Sequence, residues 1–305
     1  MGDEAIRRPS PDLLDTIFLC QQRQDWYAEY ARSTGRARLP FVGSLSTDTP
    51  VVDAARAMAE ALDYSPEVRG ATWANALSVL IGRAEDLGVL VMVNGVVGNN
   101  TRRKLRPTEF RGFTLVHELA PVVFVNGADT KAAQIFTLAH ELAHLWIGVS
   151  ALSDADPAFV PDIGIERWCN QVAAEFLVPL ASIRLAFRRD QPLTAELERL
   201  AARFKVSTLV ILRRAHEAQY LSWEEYRAAY EAERDRVLAI LEEDGEGGRG
   251  GNFYNTQPLR ASRRFSRAII ESTLEGATLY RDAFQLLGVR SVATFNQLAA
   301  QVRGE

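Results

Sequence analysis

Residues 134–148 read QIFTLAHELAHLWIG. The apolar residues Ile135, Leu138, Ala139, Leu142 and Trp146 recur with the period of an α-helix, and Gly148 is a natural stop. On such a helix His140 and His144, four apart, lie one turn along the same face, so both imidazoles can reach one ion. Glu141 stands one step round from His140, close enough to take a proton from water without becoming a ligand. Two neutral nitrogen ligands, an open coordination position and a carboxylate base are what a zinc hydrolase requires. The rival reading is a core helix with two hydrogen-bonded histidines, and the helical context favours the metal.

A site of this kind needs a third protein ligand. Residues 166–178, ERWCNQVAAEFLV, form the candidate helix, closed by Pro179. Its glutamates, Glu166 and Glu175, are nine residues apart and point to opposite sides. Cys169, Val172, Ala173 and Phe176 mark the buried stripe, and Glu166 lies at its start. Glu166 is therefore the expected ligand. Asn170, one turn on, is expected to support a ligand or touch substrate, and Glu175 to orient a neighbouring group. Asp154, Asp156 and Asp162 are weaker rivals, because a loop ligand is harder to hold in place.

The segments RGF (111–113), APVVFVN (120–126), FTLAHELAHLWIG (136–148) and ERWCNQVAAEFLVP (166–179) together resemble the ImmA/IrrE family of metallopeptidases. The resemblance implies a zincin-like core with Zn²⁺ on His140, His144 and Glu166 and with Glu141 as general base. Family members inactivate DNA-binding repressors, which implies a protein substrate: a Cro-like helix-turn-helix repressor, or a toxin or antitoxin partner. Many members carry an N-terminal Cro-like helix-turn-helix. No such segment is evident here, so the repressor is expected to be a separate protein.

The chain has 305 residues and a net charge of −4, enough length for two or more domains and too acidic for a generally basic nucleic-acid binder. Its two cysteines, Cys20 and Cys169, make no disulfide framework and read as reduced, buried thiols. With no evident signal peptide or transmembrane stretch, a cytoplasmic protein without membrane contact is expected.

Four parts follow from the pattern: an N-terminal helix and linker (1–50), the metallopeptidase domain (51–190), a helix-turn-helix-like unit (191–243) and a C-terminal helical module (252–305). The fold class is α+β, with a small sheet in the zincin-like core and helical modules after it. Helices are expected over 11–31, 51–62 and 73–87, the first packing through Leu14, Ile17, Phe18, Trp26 and Tyr30. Residues 34–50, rich in glycine, proline and serine, read as a linker or surface crossing. Strands are expected over 89–93, 110–115 and 122–125.

The loop GNNTRRKLRPTE (98–109) is basic and reads as a solvated turn, or else as a contact for an acidic substrate segment. His117 and Glu118 form a decoy, HELAP, in which Pro121 takes the second histidine's place and breaks the helix. The following PVVFVN is expected to be the edge strand along which an extended peptide is held. Thr194 and Ser207 are expected to cap two helices separated by a short break, with Arg203, Lys205, Arg213 and Arg214 adding positive charge. Direct DNA binding by this unit is allowed but not favoured. The glycine-rich run at 243–251 is a linker, and the last module has Phe265, Ile269, Leu274, Tyr280, Phe284, Leu287, Phe295 and Leu298 for its core. No donor for an oxyanion is identified, Tyr254 and His216 being bare candidates.

The leading function is an intracellular zinc endopeptidase that cuts a regulatory protein of a stress-response, mobile-element or toxin–antitoxin system. The alternative is a non-proteolytic, antitoxin-like regulator using the zincin core as a binding surface. Glu141 counts against it, since a purely structural metal has no need of a base. A direct transcription factor is the weakest reading.

Overall fold

Strand alternation organises the molecule. In the parallel strand pair of the central sheet, odd-numbered valines turn to one side and their even-numbered neighbours to the other, so both strands feed two cores. The computed structural model describes residues 9–153, 164–244 and 253–304. The first half runs α1 (Pro11–Ser33), α2 (Val51–Ala61), a 3-10 turn (Pro66–Arg69), α3 (Trp73–Leu87), β1 (Leu90–Asn94), β2 (Val96–Val97), β3 (Asn100–Lys104), β4 (Gly112–Leu115) and β5 (Val122–Asn126). Then come α4 (Lys131–Ile147), β6 (Ala151–Ser153), α5 (Gly164–Leu177), α6 (Leu180–Ala186), α7 (Leu193–Phe204), α8 (Thr208–Glu217) and α9 (Trp223–Asp244). Four further helices close the chain: α10 (Phe253–Ala261), α11 (Arg263–Leu274), α12 (Tyr280–Leu287) and α13 (Val292–Gly304). The fold is α+β, as expected.

The four-stranded sheet has the order β1-β5-β4-β6, with β1 parallel to β5 and the other pairs antiparallel. β5 is therefore an interior strand. This corrects the expectation that PVVFVN is an edge: β1 claims its outer side, with Leu90 opposite Val122, a pairing distant in sequence that strand pattern alone does not reveal. Val91, Val123 and Val125 face the core built with α2, α3, α4, α5, α7 and α8. Leu90, Met92, Val122 and Phe124 face the core built with α1 and the C-terminal helices. On that second side Phe113 stacks on Phe124 with ring centroids 4.9 Å apart, worth about 0.5–1.5 kcal/mol beyond burial. The C-terminal module thus packs on the sheet together with α1.

The same phase argument corrects α1. Its inward face is Leu13, Thr16, Cys20, Arg23, Tyr27, Ala28 and Ala31. Leu14 and Phe18 are 52% and 60% exposed. Ile17, Trp26 and Tyr30 pack against this core as expected, half-buried at its edge, whereas the spacing against the sheet leaves Leu14 and Phe18 off the inward face. In the C-terminal module Leu274 and Tyr280 are likewise exposed, while Phe265, Ile269, Leu287, Phe295 and Leu298 form the core. Cys20 and Cys169 are free and buried, and desolvation pushes the Cys20 thiol up to about 12.

The basic loop is a hairpin strand, β3 against β2, with Arg103 paired to Asp12 and Asp15 of α1. Residues 116–121 form no helix, as the decoy reading requires. Residues 34–50 do more than cross the surface. The backbone N–H groups of Gly43 and Leu45 donate to the carbonyls of Leu145 and Trp146 at the end of α4. Gly148 ends that helix with φ of +78°, and a Cβ on it would stand 2.9 Å from Gly43 Cα, so this crossing requires glycine.

In the helix-turn-helix-like unit Ser207 caps α8 by accepting from Val210 N–H, as expected. Thr194 does not cap α7. The cap position falls on Pro192, two residues earlier, without a side-chain bond. No residue of α8 is exposed. Its arginines are held by carboxylates: Arg213 by Glu217, and Arg214 by Glu217 and Glu175. Thr208, Leu209, His216 and Glu217 are its half-buried positions, and the two arginines are not among them. The 243–251 linker reading lies largely outside the described residues.

Candidate metal centre

Every residue of α4 from Ala133 to Trp146 is buried. The helix is walled on all sides: by β4 and β5, by α3, and by α5. Thr130 caps its start by accepting from Ala133 N–H. His140, Glu141 and His144 consequently sit in the interior, each fully buried. Burying three ionisable groups costs stability unless they find partners.

The partners come from α5. His140 Nε2 and His144 Nε2 are 3.0 Å apart, and Glu166 places Oε2 3.1 Å from the first and Oε1 3.3 Å from the second. Four donors about 2.0–2.1 Å from a tetrahedral ion stand roughly 3.3–3.4 Å from one another. The three atoms observed already have nearly that spacing. His140 Nδ1 lies 3.0 Å from Asn170 Oδ1. That amide oxygen can only accept, so Nδ1 carries the hydrogen and the Nε2 lone pair turns inward, the tautomer a metal ligand needs.

The electrostatics agree. Burial alone would raise the Glu166 carboxyl, but hydrogen bonds from His140 and His144 outweigh it and hold it well below the usual carboxylate range. Burial alone would lower His144, yet its bond to Glu166 and the charges of Glu141 and Glu166 raise it. The centre is a concentration of negative charge that draws a cation: a proton on His144, or a metal ion in its place. Among the described residues His140, His144 and Glu166 are the group whose ligand atoms all lie within 4.8 Å of one another, and no second such group occurs. The donor set, two imidazole nitrogens and a carboxylate, fits a hydrolytic metal site.

Glu141 lies outside that triangle. Its Oε2 is 2.8 Å from Thr114 Oγ1 of β4, and its Oε1 packs over Gly112. Gly112 entered the sequence reading only within the RGF segment and the expected strand 110–115, and Thr114 only within that strand. The only available signal was a glycine and a threonine alternating in a buried strand.

Of the supporting residues named from sequence, the structure brings Asn170 to the centre and leaves Glu175 away from it. The Glu175 carboxylate accepts from Leu180 N–H at 3.2–3.3 Å, at the start of α6, and pairs with Arg214. Asp154, Asp156 and Asp162 lie outside the described residues, as does the side chain of Tyr254. His216 Nδ1 meets Leu221 O at 2.9 Å, and the ring stacks on Tyr226, a packing role. Among the described residues no helix is long and apolar enough to cross a membrane.

Residues 84–216 match a peptidase family described as IrrE N-terminal-like domain, which spans the sheet, α4, α5 and the two helices α7 and α8. Residues 261–301 match a domain of unknown function, DUF8813, covering α11, α12 and most of α13. No curated protein and no solved structure matches the chain.

Proposed function

The chain carries an IrrE N-terminal-like domain of the metallopeptidase type, in keeping with its ImmA/IrrE resemblance, and from that premise we propose that it is a cytoplasmic zinc endopeptidase. Its substrate in this reading is a regulatory protein, a Cro-like helix-turn-helix repressor of a stress-response, mobile-element or toxin–antitoxin system. The observation that carries the proposal is the convergence of His140 Nε2, His144 Nε2 and the Glu166 carboxylate within 3.3 Å of each other in a buried site.

His140, His144 and Glu166 would hold the ion. Zinc bound there supplies Lewis-acid polarisation of a carbonyl and acidification of a water. Asn170 keeps His140 in the tautomer that offers Nε2. Glu141, buried beside the ligands but not among them, accepts the proton of the attacking water and returns it to the leaving amine. Burial of all three α4 groups excludes bulk water and strengthens each of these interactions.

The test compares new protein N-termini in cells expressing wild type and Glu141→Gln, with zinc content measured on both purified proteins. Cleavage confined to wild type, with equal zinc, is the expected result. Cleavage that persists in Glu141→Gln would remove the general-base assignment. Zinc without any wild-type-dependent cleavage would transfer the protein to the antitoxin-like binding role.

A further inference from the structure

Gly112 and Thr114 occupy alternate positions of β4, so they share a face of the sheet, while Phe113 between them packs into the opposite core. On β5 and, beyond it, β1 the positions turned to α4 are valines: Val123, Val125 and Val91. At two sites of a buried face, therefore, β4 gives up an apolar side chain. Glu141 is what meets them. Thr114 Oγ1 stands 2.8 Å from its Oε2 and 2.9 Å from its backbone carbonyl. A Cβ on Gly112 would lie 3.0 Å from Glu141 Oε1, 2.8 Å from Phe124 O and 2.6 Å from Thr137 Cγ2, too close for any larger residue.

The chemistry of the contact is one-directional. The Thr114 hydroxyl has one hydrogen and two acceptors within reach, and a carboxylate accepts more strongly than an amide carbonyl. Both side chains are fully buried, so bulk water does not solvate the carboxylate, and a fixed donor is what keeps an ionised oxygen in place. Helix α4 sets where Glu141 begins, and β4 sets where its carboxylate ends.

We propose that Gly112 and Thr114 form a seat for Glu141, with Thr114 a positioning residue that fixes the direction of the proton-accepting carboxylate. This rests on the assignment of Glu141 as base in the preceding section. Thr114→Val keeps the shape and removes the donor, whereas Thr114→Ser keeps the donor. Zinc content is measured first on the full chain. Calorimetry then gives the Kd for acetohydroxamate, a small metal-binding acid whose hydroxyl proton needs an acceptor beside the ion.

Zinc stoichiometry is expected to be equal in all three proteins. The Kd is expected to rise about tenfold in Thr114→Val and to return close to wild type in Thr114→Ser. In a Glu141→Ala background Thr114→Val should change nothing further, because the residue acts through Glu141. An unchanged Kd in Thr114→Val, or a loss that persists in full in the Glu141→Ala background, overturns the seat while leaving the zinc reading intact. Absence of zinc from wild type overturns the zinc reading, and the seat with it.

Discussion

The two sides of the central sheet use one structural device but bury different chemistry. On the α4 side Arg69, 1% exposed, donates to the carbonyls of Leu177 at 2.7 Å and Phe204 at 2.6 Å, at the C-terminal ends of α5 and α7. On the α1 side Arg23, 4% exposed, donates to Leu286 O at 2.9 Å and Arg260 O at 3.0 Å, near the ends of α12 and α10. Neither guanidinium has a carboxylate partner among the described residues. Each is held by the last carbonyls of two helices, which lack intrahelical partners and carry the negative end of the dipole. Beyond that the sides diverge. The α4 side gathers two imidazoles and two carboxylates around one point. On the other, Arg23 fastens α1 to the C-terminal helices, and Glu85 of α3 meets Ser262 and Arg264 at the α11 start. Chemistry is concentrated on one face, and the other is a cover.

The largest expected effect breaks this device on each side in turn. Arg69→Met and Arg23→Met each strand buried carbonyls, and each should cost about 3–5 kcal/mol in denaturant unfolding. Zinc affinity separates them. Arg69 fixes the far end of α5, the helix that carries Glu166, so its variant should bind zinc more weakly. The Arg23 variant should bind zinc as wild type does. Equal losses of zinc affinity in both would mean that the two faces are not independent.

A smaller effect sharpens the cover side. Burial pushes the Glu85 carboxyl up to about 7 from an ordinary 4.5, against the pull of the Ser262 hydroxyl and the Arg264 backbone N–H. Between those two values the folded chain holds a proton that the unfolded chain has released, so this group's contribution to stability falls as pH rises. Glu85→Gln keeps an acceptor for Ser262 and removes the titration. Its stability relative to wild type should therefore grow from about pH 4.5 and level off above about pH 7, by roughly 1–3 kcal/mol. A constant difference across that range would show that Glu85 is not the group responsible.

What could be read from sequence was what a single element determines. His140 and His144 share a face of one helix whatever packs on it, and the buried stripe of residues 166–178 put Glu166 on the correct side of α5. Strand order is not local: β5 became interior because β1 pairs with it, and the peptide-edge expectation failed there. The Thr114–Glu141 contact was hidden for the same reason, since it depends on how β4 registers against a helix 27 residues away. Arg213 and Arg214 looked like a basic surface because charge was counted without partners, and Glu175 lies 39 residues from the arginine it pairs with. Leu14 and Phe18 looked like core by residue type, yet only the docked sheet fixes which face of α1 is inside.

Metal content of the purified chain, wild type beside Glu166→Ala, tests the central claim most directly. About one zinc per wild-type chain, lost or greatly weakened in the variant, is the expected result for a site closed by two α4 histidines and one α5 glutamate. A wild-type chain that takes up no metal after zinc supplementation would contradict the account. So would a Glu166→Ala chain that holds zinc as tightly as wild type.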